Sequence, residues 1–154
     1  MWCSISKLFA LGVNQLACLG SHTIAPALYA SLPYDPARDF AAIAALGSQA
    51  SVLLVSASSG WRSAADLVQA ARASPGKLTF SSVGVGSATH LSAERFRASA
   101  AIEVLHVPYK GGAEAMAEVM AGRVDFFFAP IGLALPSIRE GKLKPLAVNA
   151  EMRS

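Results

Sequence analysis

From Ser51 to Val148, short apolar runs alternate with stretches in which apolar residues recur every three or four positions. Val52-Leu53-Leu54-Val55 is an uninterrupted run and predicts a strand buried on both faces. Ser63-Ala64-Ala65-Asp66 then has the form of a capping box, in which the serine oxygen takes a free amide and the acid favours the helix start. Leu67, Val68 and Ala71 fall on one face of that helix, and Ser74-Pro75-Gly76 stops it. Leu78-Thr79-Phe80-Ser81 predicts a second strand, and a helix over 89–100 follows with Leu91 and Phe96 inward. Val104-Leu105-His106-Val107 predicts the third strand. The next helix, 113–121, places Met116, Val119 and Met120 on one side, with Gly122 at the position past its end. Residues 124–128 predict a fourth strand, Pro130 opens a helix that Gly141 closes, and Leu146-Ala147-Val148 predicts a fifth strand.

Five alternations of strand and helix with short links predict an α/β domain, a parallel sheet covered by helices on both faces. Ligands of such sheets sit beyond the C-terminal ends of the strands. The loops expected there are 82–87, 108–112 and 129–132. Residues 21–50 read differently. Pro26, Pro33 and Pro36 exclude a long helix, leaving a connecting segment with a short helical turn and a strand near 44–46.

The chain has 154 residues, enough for one domain with a core of its own. Charged residues are only 15% and hydrophobic residues 53%, with much of that excess in alanine. Thirteen basic residues against ten acidic ones give +3, and the basic positions are scattered without interleaved aromatics. That distribution argues against nucleic-acid binding. Cys3 and Cys18 are the only cysteines, and neither a CxxC motif nor zinc spacing occurs. The apolar run 8–13 after Lys7 is too short to span a bilayer and makes a poor secretion signal. Gln15-Leu16-Ala17-Cys18 matches a lipoprotein cleavage box only loosely.

Two segments have the make-up of an anion site. In Ser81-Ser82-Val83-Gly84-Val85-Gly86-Ser87-Ala88-Thr89-His90, two glycines allow close backbone approach between a strand and a helix. The amides of residues 87–89 would be free at the helix start, where the dipole favours negative charge. Ser87 and Thr89 add hydroxyls, and one of them caps the helix. The dinucleotide fingerprint is absent, since Thr89 stands where its third small residue belongs and no acid follows the next strand. Neither GK[ST] nor G-x-S-x-G occurs. In Val107-Pro108-Tyr109-Lys110-Gly111-Gly112, two glycines open the following helix. Tyr109 either walls a ligand or packs on a helix, and Lys110 reads as solvated. His90, in a first helical turn where positive charge is disfavoured, reads as a neutral donor to a nearby loop. His106 reads as a satisfied buried histidine, and Asp125 as structural. No carboxylates cluster with the histidines, so no metal site is expected.

Several separate segments resemble the Bug-type receptors of tripartite tricarboxylate transporters. They are Tyr34-Asp35-Pro36-Ala37-Arg38-Asp39-Phe40, Pro75-Gly76-Lys77-Leu78, Gly84-Val85-Gly86-Ser87 with His90-Leu91, Val107 to Ala113, Gly122-Arg123-Val124-Asp125 and Gly141-Lys142-Leu143. The resemblance covers roughly residues 21–154. It implies a periplasmic-binding-protein-like (type II) fold, a non-enzymatic periplasmic receptor without cofactor, and a small carboxylate ligand, either a di- or tricarboxylate or an amino acid. The membrane permease subunits of the transporter would be its partners. By this reading residues 1–20 lie outside the family pattern and 21–51 are a remnant of domain 1. Residues 52–146 form the ligand-binding domain 2, and 147–154 begin the return to domain 1. The ligand contacts implied are Gly84, Val85, Gly86, Ser87, Thr89, His90, Tyr109 and Gly111. Ser21 and Thr23 join them from a segment resembling a strand end of domain 1. Family members are about twice as long, so the chain by itself is expected to bind carboxylates weakly or not at all and to leave apolar surface exposed near 42–46. The competing readings are a serine hydrolase built on Ser87 and an inactive gene remnant.

Overall fold

The computed structural model describes residues 20–40 and 49–149, Gly20 and Ser21 for their backbone only. The chain divides into two compact units, Met1–Ala45 and Leu46–Ser154. In the first, a π-helical turn, Gly20–Ile24, runs into the short helix α1, Ala25–Leu28. Pro26 sits in its first turn, where a missing amide costs nothing. Ser21 and Thr23 therefore lie in a helical turn and not at a strand end. Asp35 accepts from the Ala37 amide at 2.9 Å, the local side-chain bond that makes aspartate a turn former. The expected strand at 44–46, the apolar surface near it and both cysteines lie outside the described residues.

The second unit is an α/β layer with order β1 (Ser51–Ser56), α2 (Ala64–Ala73), β2 (Thr79–Ser82), α3 (Ala88–Ala100), β3 (Leu105–Pro108), α4 (Gly112–Met120), β4 (Phe126–Pro130), α5 (Ile131–Arg139) and β5 (Leu143–Val148). Ser63 and Asp66 form the capping box at α2, with Oγ accepting from the Asp66 amide at 3.2 Å and Oδ2 from the Ser63 amide at 3.0 Å. Gly122 and Gly141 turn the chain after α4 and α5 with φ of 71° and 69°.

The sheet order is β3-β2-β4-β1-β5. β2 is parallel to β3 and to β4, as expected, whereas β1 runs antiparallel to both its neighbours, β4 and β5. The sheet is therefore mixed. An unbroken apolar run reports burial on both faces, which β1 has, but carries no information on direction. Direction follows from where the chain enters: Ser51 pairs with Pro130, so β1 starts at the edge where β4 ends. β5 starts at Leu143, earlier than its apolar pattern, and crosses Pro145 where its register with β1 shifts.

Alternation along the strands divides the core between two faces. Val52, Leu54, Phe127 and Ala129 pack with Met116, Val119 and Ala134 of α4 and α5. Leu53, Val55, Phe80, Phe126 and Phe128 pack with Leu67, Ala71 and Ala93 of α2 and α3. Each of the larger of these side chains contributes about 1.5–3 kcal/mol through burial. The result is a rigid platform whose β2, β3 and β4 all end at one edge, each turning there into the start of a helix.

Candidate functional site

At that edge the loop 83–87 is shaped by its glycines and by hydroxyls folded back on it. Gly84 and Gly86 have φ of 113° and 76°, which side-chain-bearing residues rarely adopt. Ser87 caps α3. Its Oγ accepts from the His90 amide at 3.2 Å and donates to the Gly84 carbonyl at 2.7 Å. The Ser87 amide reaches the same carbonyl at 3.3 Å. The buried Thr89 Oγ1 accepts from the Val83 amide at 3.1 Å. Ser82 Oγ accepts from the Gly84 amide at 3.0 Å, and His90 Nδ1 accepts from the Gly86 amide at 3.3 Å. Among the described residues, the amides of Val85, Ala88 and Thr89 are left with no hydrogen-bond acceptor. They stand at the positive end of the α3 dipole. Val85 is 64% exposed at the tip of the loop.

The second loop is held from outside the site. The Tyr109 amide donates to the Ser82 carbonyl at 2.9 Å, while the Tyr109 ring packs on the α4–α5 side of the core. Burial raises its phenol pKa, and the negative charge of Glu118 adds to that. Of the two roles open to Tyr109, this packing supports the structural one. Gly111 is the extended residue before α4, and Glu114 reaches back to the Lys110 amide at 3.3 Å. A Cβ at Gly112 would lie 2.5 Å from Leu133 Cδ2 of α5, the far end of an exposed side chain that can shift to admit it. The third loop brings the start of α5 to the same edge, with Ile131 and Leu133 exposed. Three helix N-termini thus meet around one loop.

Among the described residues, no general base is hydrogen-bonded to Ser87. Its hydroxyl donates to the Gly84 carbonyl, and the Nδ1 lone pair of His90 is taken by the Gly86 amide. Glu94 pairs with Arg97 at 2.7 Å. Asp125 lies at the opposite edge of the sheet, accepting from the amide and hydroxyl of Thr79 at 2.7 and 3.0 Å. A cavity of about 240 Å³ also lies at that opposite edge, lined by Ser59, Trp61 and Asp125, remote from the loops. Among the described residues no group of three or more His, Cys, Asp or Glu is placed to hold a metal ion.

The sequence matches the family model for the tripartite tricarboxylate transporter family receptor over residues 12–154. The chain belongs to that family. Among these receptors and their relatives, it is 37% identical over 122 residues to a protein encoded in the tcbD-tcbE intergenic region of Pseudomonas sp. strain P51, covering 79% of this chain and 36% of that protein. Protein BugT of Bordetella pertussis is 28% identical over 127 residues, or 82% of this chain and 39% of its own. The structure of R. palustris Rpa4515 with adipate superposes with a TM-score of 0.75 at 34% identity, covering 81% of this chain and 42% of that one. MatC from Rhodopseudomonas palustris with bound malate gives 0.78 at 27%, covering 88% and 46%. The chain thus spans 36–46% of the length of these relatives.

For a receptor of this family, the structure gathers Gly84, Val85, Gly86, Ser87, Thr89 and His90 into one loop and its helix cap, with Gly111 opening the neighbouring helix. Tyr109 is turned into the packing, and Ser21 and Thr23 belong to the other unit. The Ser87 amide, expected to be free, is occupied by Gly84. His90, expected to donate, accepts instead. Sequence reasoning missed Ser82 and His106 as parts of the loop's support. The only available signal was a histidine inside an apolar strand.

Proposed function

We propose that this chain supplies carboxylate-binding loops of a periplasmic receptor that passes its ligand to a membrane permease. A ligand carboxylate would sit on loop 83–87, taking the amides of Val85, Ala88 and Thr89. Those three donors without acceptors, at a helix N-terminus on a rigid sheet edge, carry the reading. The glycine conformations leave the backbone uncovered there, so a carboxylate approaches the amides directly. The dicarboxylates named with the R. palustris structures, adipate and malate, make that ligand class the first to try. The donors belong to residues 85–89, and Ser21 and Thr23 take no part.

Saturation-transfer NMR and calorimetry with adipate, malate and the neutral diamide of adipate test it. Saturable binding of a dicarboxylate, lost in the diamide, is the expected result. Equal binding of the diamide, or no carboxylate bound at millimolar concentration, would overturn it.

A further inference from the structure

Beneath the loop, the rings of His90 and His106 lie 4.3 Å apart between centroids, and His106 stacks on Phe80 at 4.8 Å. The column forms because β2 and β3 pair Phe80 with His106, while α3 lays His90 over them. Each imidazole holds one glycine of the loop. His90 Nδ1 accepts the Gly86 amide, which requires an unprotonated nitrogen. His106 Nε2 lies 2.6 Å from Ser82 Oγ, which also accepts from the Gly84 amide and contacts the Gly84 carbonyl at 3.2 Å. A hydroxyl has one proton and two lone pairs. All three contacts are satisfied only when His106 donates from Nε2 and Ser82 donates to Gly84.

We infer that His90 and His106 are positioning residues for the carboxylate loop, a neutral latch whose protonation at His90 releases the Gly86 amide and loosens the loop. A proton on Nδ1 would set two donors against each other across the 3.3 Å now spanned by the Gly86 bond. The charged group facing the pair is Glu94 on α3, 3.9 Å from His90 Nε2 and itself paired with Arg97. β2 presents Phe80 and Ser82, which carry no charge. Burial and the neighbouring His90 both lower the pKa of His106, in keeping with a neutral pair. The consequence for ligand binding rests on the carboxylate reading above; the latch itself does not.

Amide NMR of the free chain from pH 8 to 5 reads the latch directly. The Gly86 signal is expected to move across the imidazole range and to stay still in His90→Asn, whose side-chain oxygen keeps an acceptor near Nδ1 but cannot titrate. His90→Phe, lacking the acceptor, should show the released Gly86 signal at every pH. A Gly86 amide indifferent to pH, or one that titrates equally in His90→Asn, would overturn the inference. In the ligand arm, adipate affinity of the wild type relative to His90→Asn should fall about tenfold between pH 7.5 and 5.5, the loss of roughly one hydrogen bond. The ligand's own protonation is common to both proteins and cancels. A relative rise on acidification would mean that His90 attracts the ligand by its charge, and would overturn the latch. If the Gly86 amide titrates as expected but no carboxylate binds at any pH, the latch stands and the carboxylate reading fails.

Discussion

At the edge where β2 and β4 begin, the charged side chains are tied to partners within the protein, while the buried Ser59 hydroxyl has none. Asp125 takes both donors of Thr79, Lys144 Nζ ties the carbonyls of Ser59 and Trp61 at 3.2 and 3.1 Å, and Arg123 forks onto Glu118 through two bonds of 2.6 Å. At the edge where the same strands end, backbone donors lack acceptors, apolar side chains are exposed and two glycines hold conformations other residues avoid. The contrast teaches that one sheet can divide its tasks by strand direction. Helix C-termini, salt-bridged turns and the capped start of α2 close the first edge, and the helix N-termini at the second are where the proposed carboxylate would sit.

The sharpest way to break the comparison is at the closed edge. Asp125→Ala leaves the Thr79 amide and hydroxyl unpaired, and should cost about 1–3 kcal/mol in a urea titration. Carboxylate affinity of the folded fraction should not change; a change in affinity would mean that the two edges are coupled. Gly84→Ala is the converse substitution. No atom lies within 4 Å of the added Cβ, so the cost is conformational, about 1–2 kcal/mol, and the loop either strains or moves. Ligand binding should be lost while the far edge keeps its amide-exchange protection.

The smallest effect is one of pH. His106 binds a proton less readily in the folded state than in the unfolded chain, because burial and then the His90 charge oppose it. The unfolded state therefore takes up more protons as pH falls, and stability declines below about pH 6.5, levelling off below the folded value. Urea midpoints at pH 7.5 and 5.5 should differ in that direction, and by less in His106→Gln.

Much of this was legible in the residues. Ser63 and Asp66 announced a helix start, and Ser74-Pro75-Gly76 its end, because those signals act within a few residues. Gly84, Gly86 and Ser87 announced a glycine turn running into a helix cap for the same reason. The direction of β1 was not legible, since Val52-Leu53-Leu54-Val55 would read the same in either sense. The histidine column was not legible either: it needs β2 beside β3 in one register, which no local pattern encodes. The free amides shifted from 87–89 to 85, 88 and 89 because the Gly84 carbonyl is turned toward the cap, a detail of φ at two glycines.

The reversed central strand has a consequence for synthesis. β1 emerges from the ribosome well before its partners β4 and β5, which run through Pro130 and Val148. Until they arrive, Val52-Leu53-Leu54-Val55 offers two unpaired backbone edges and an apolar surface to whatever is nearby. Long-range pairing of this kind is slow, and exposed strands of this kind aggregate. The nascent chain, with β1 waiting for β4 and β5, is the state in which shielding of that apolar run would matter most.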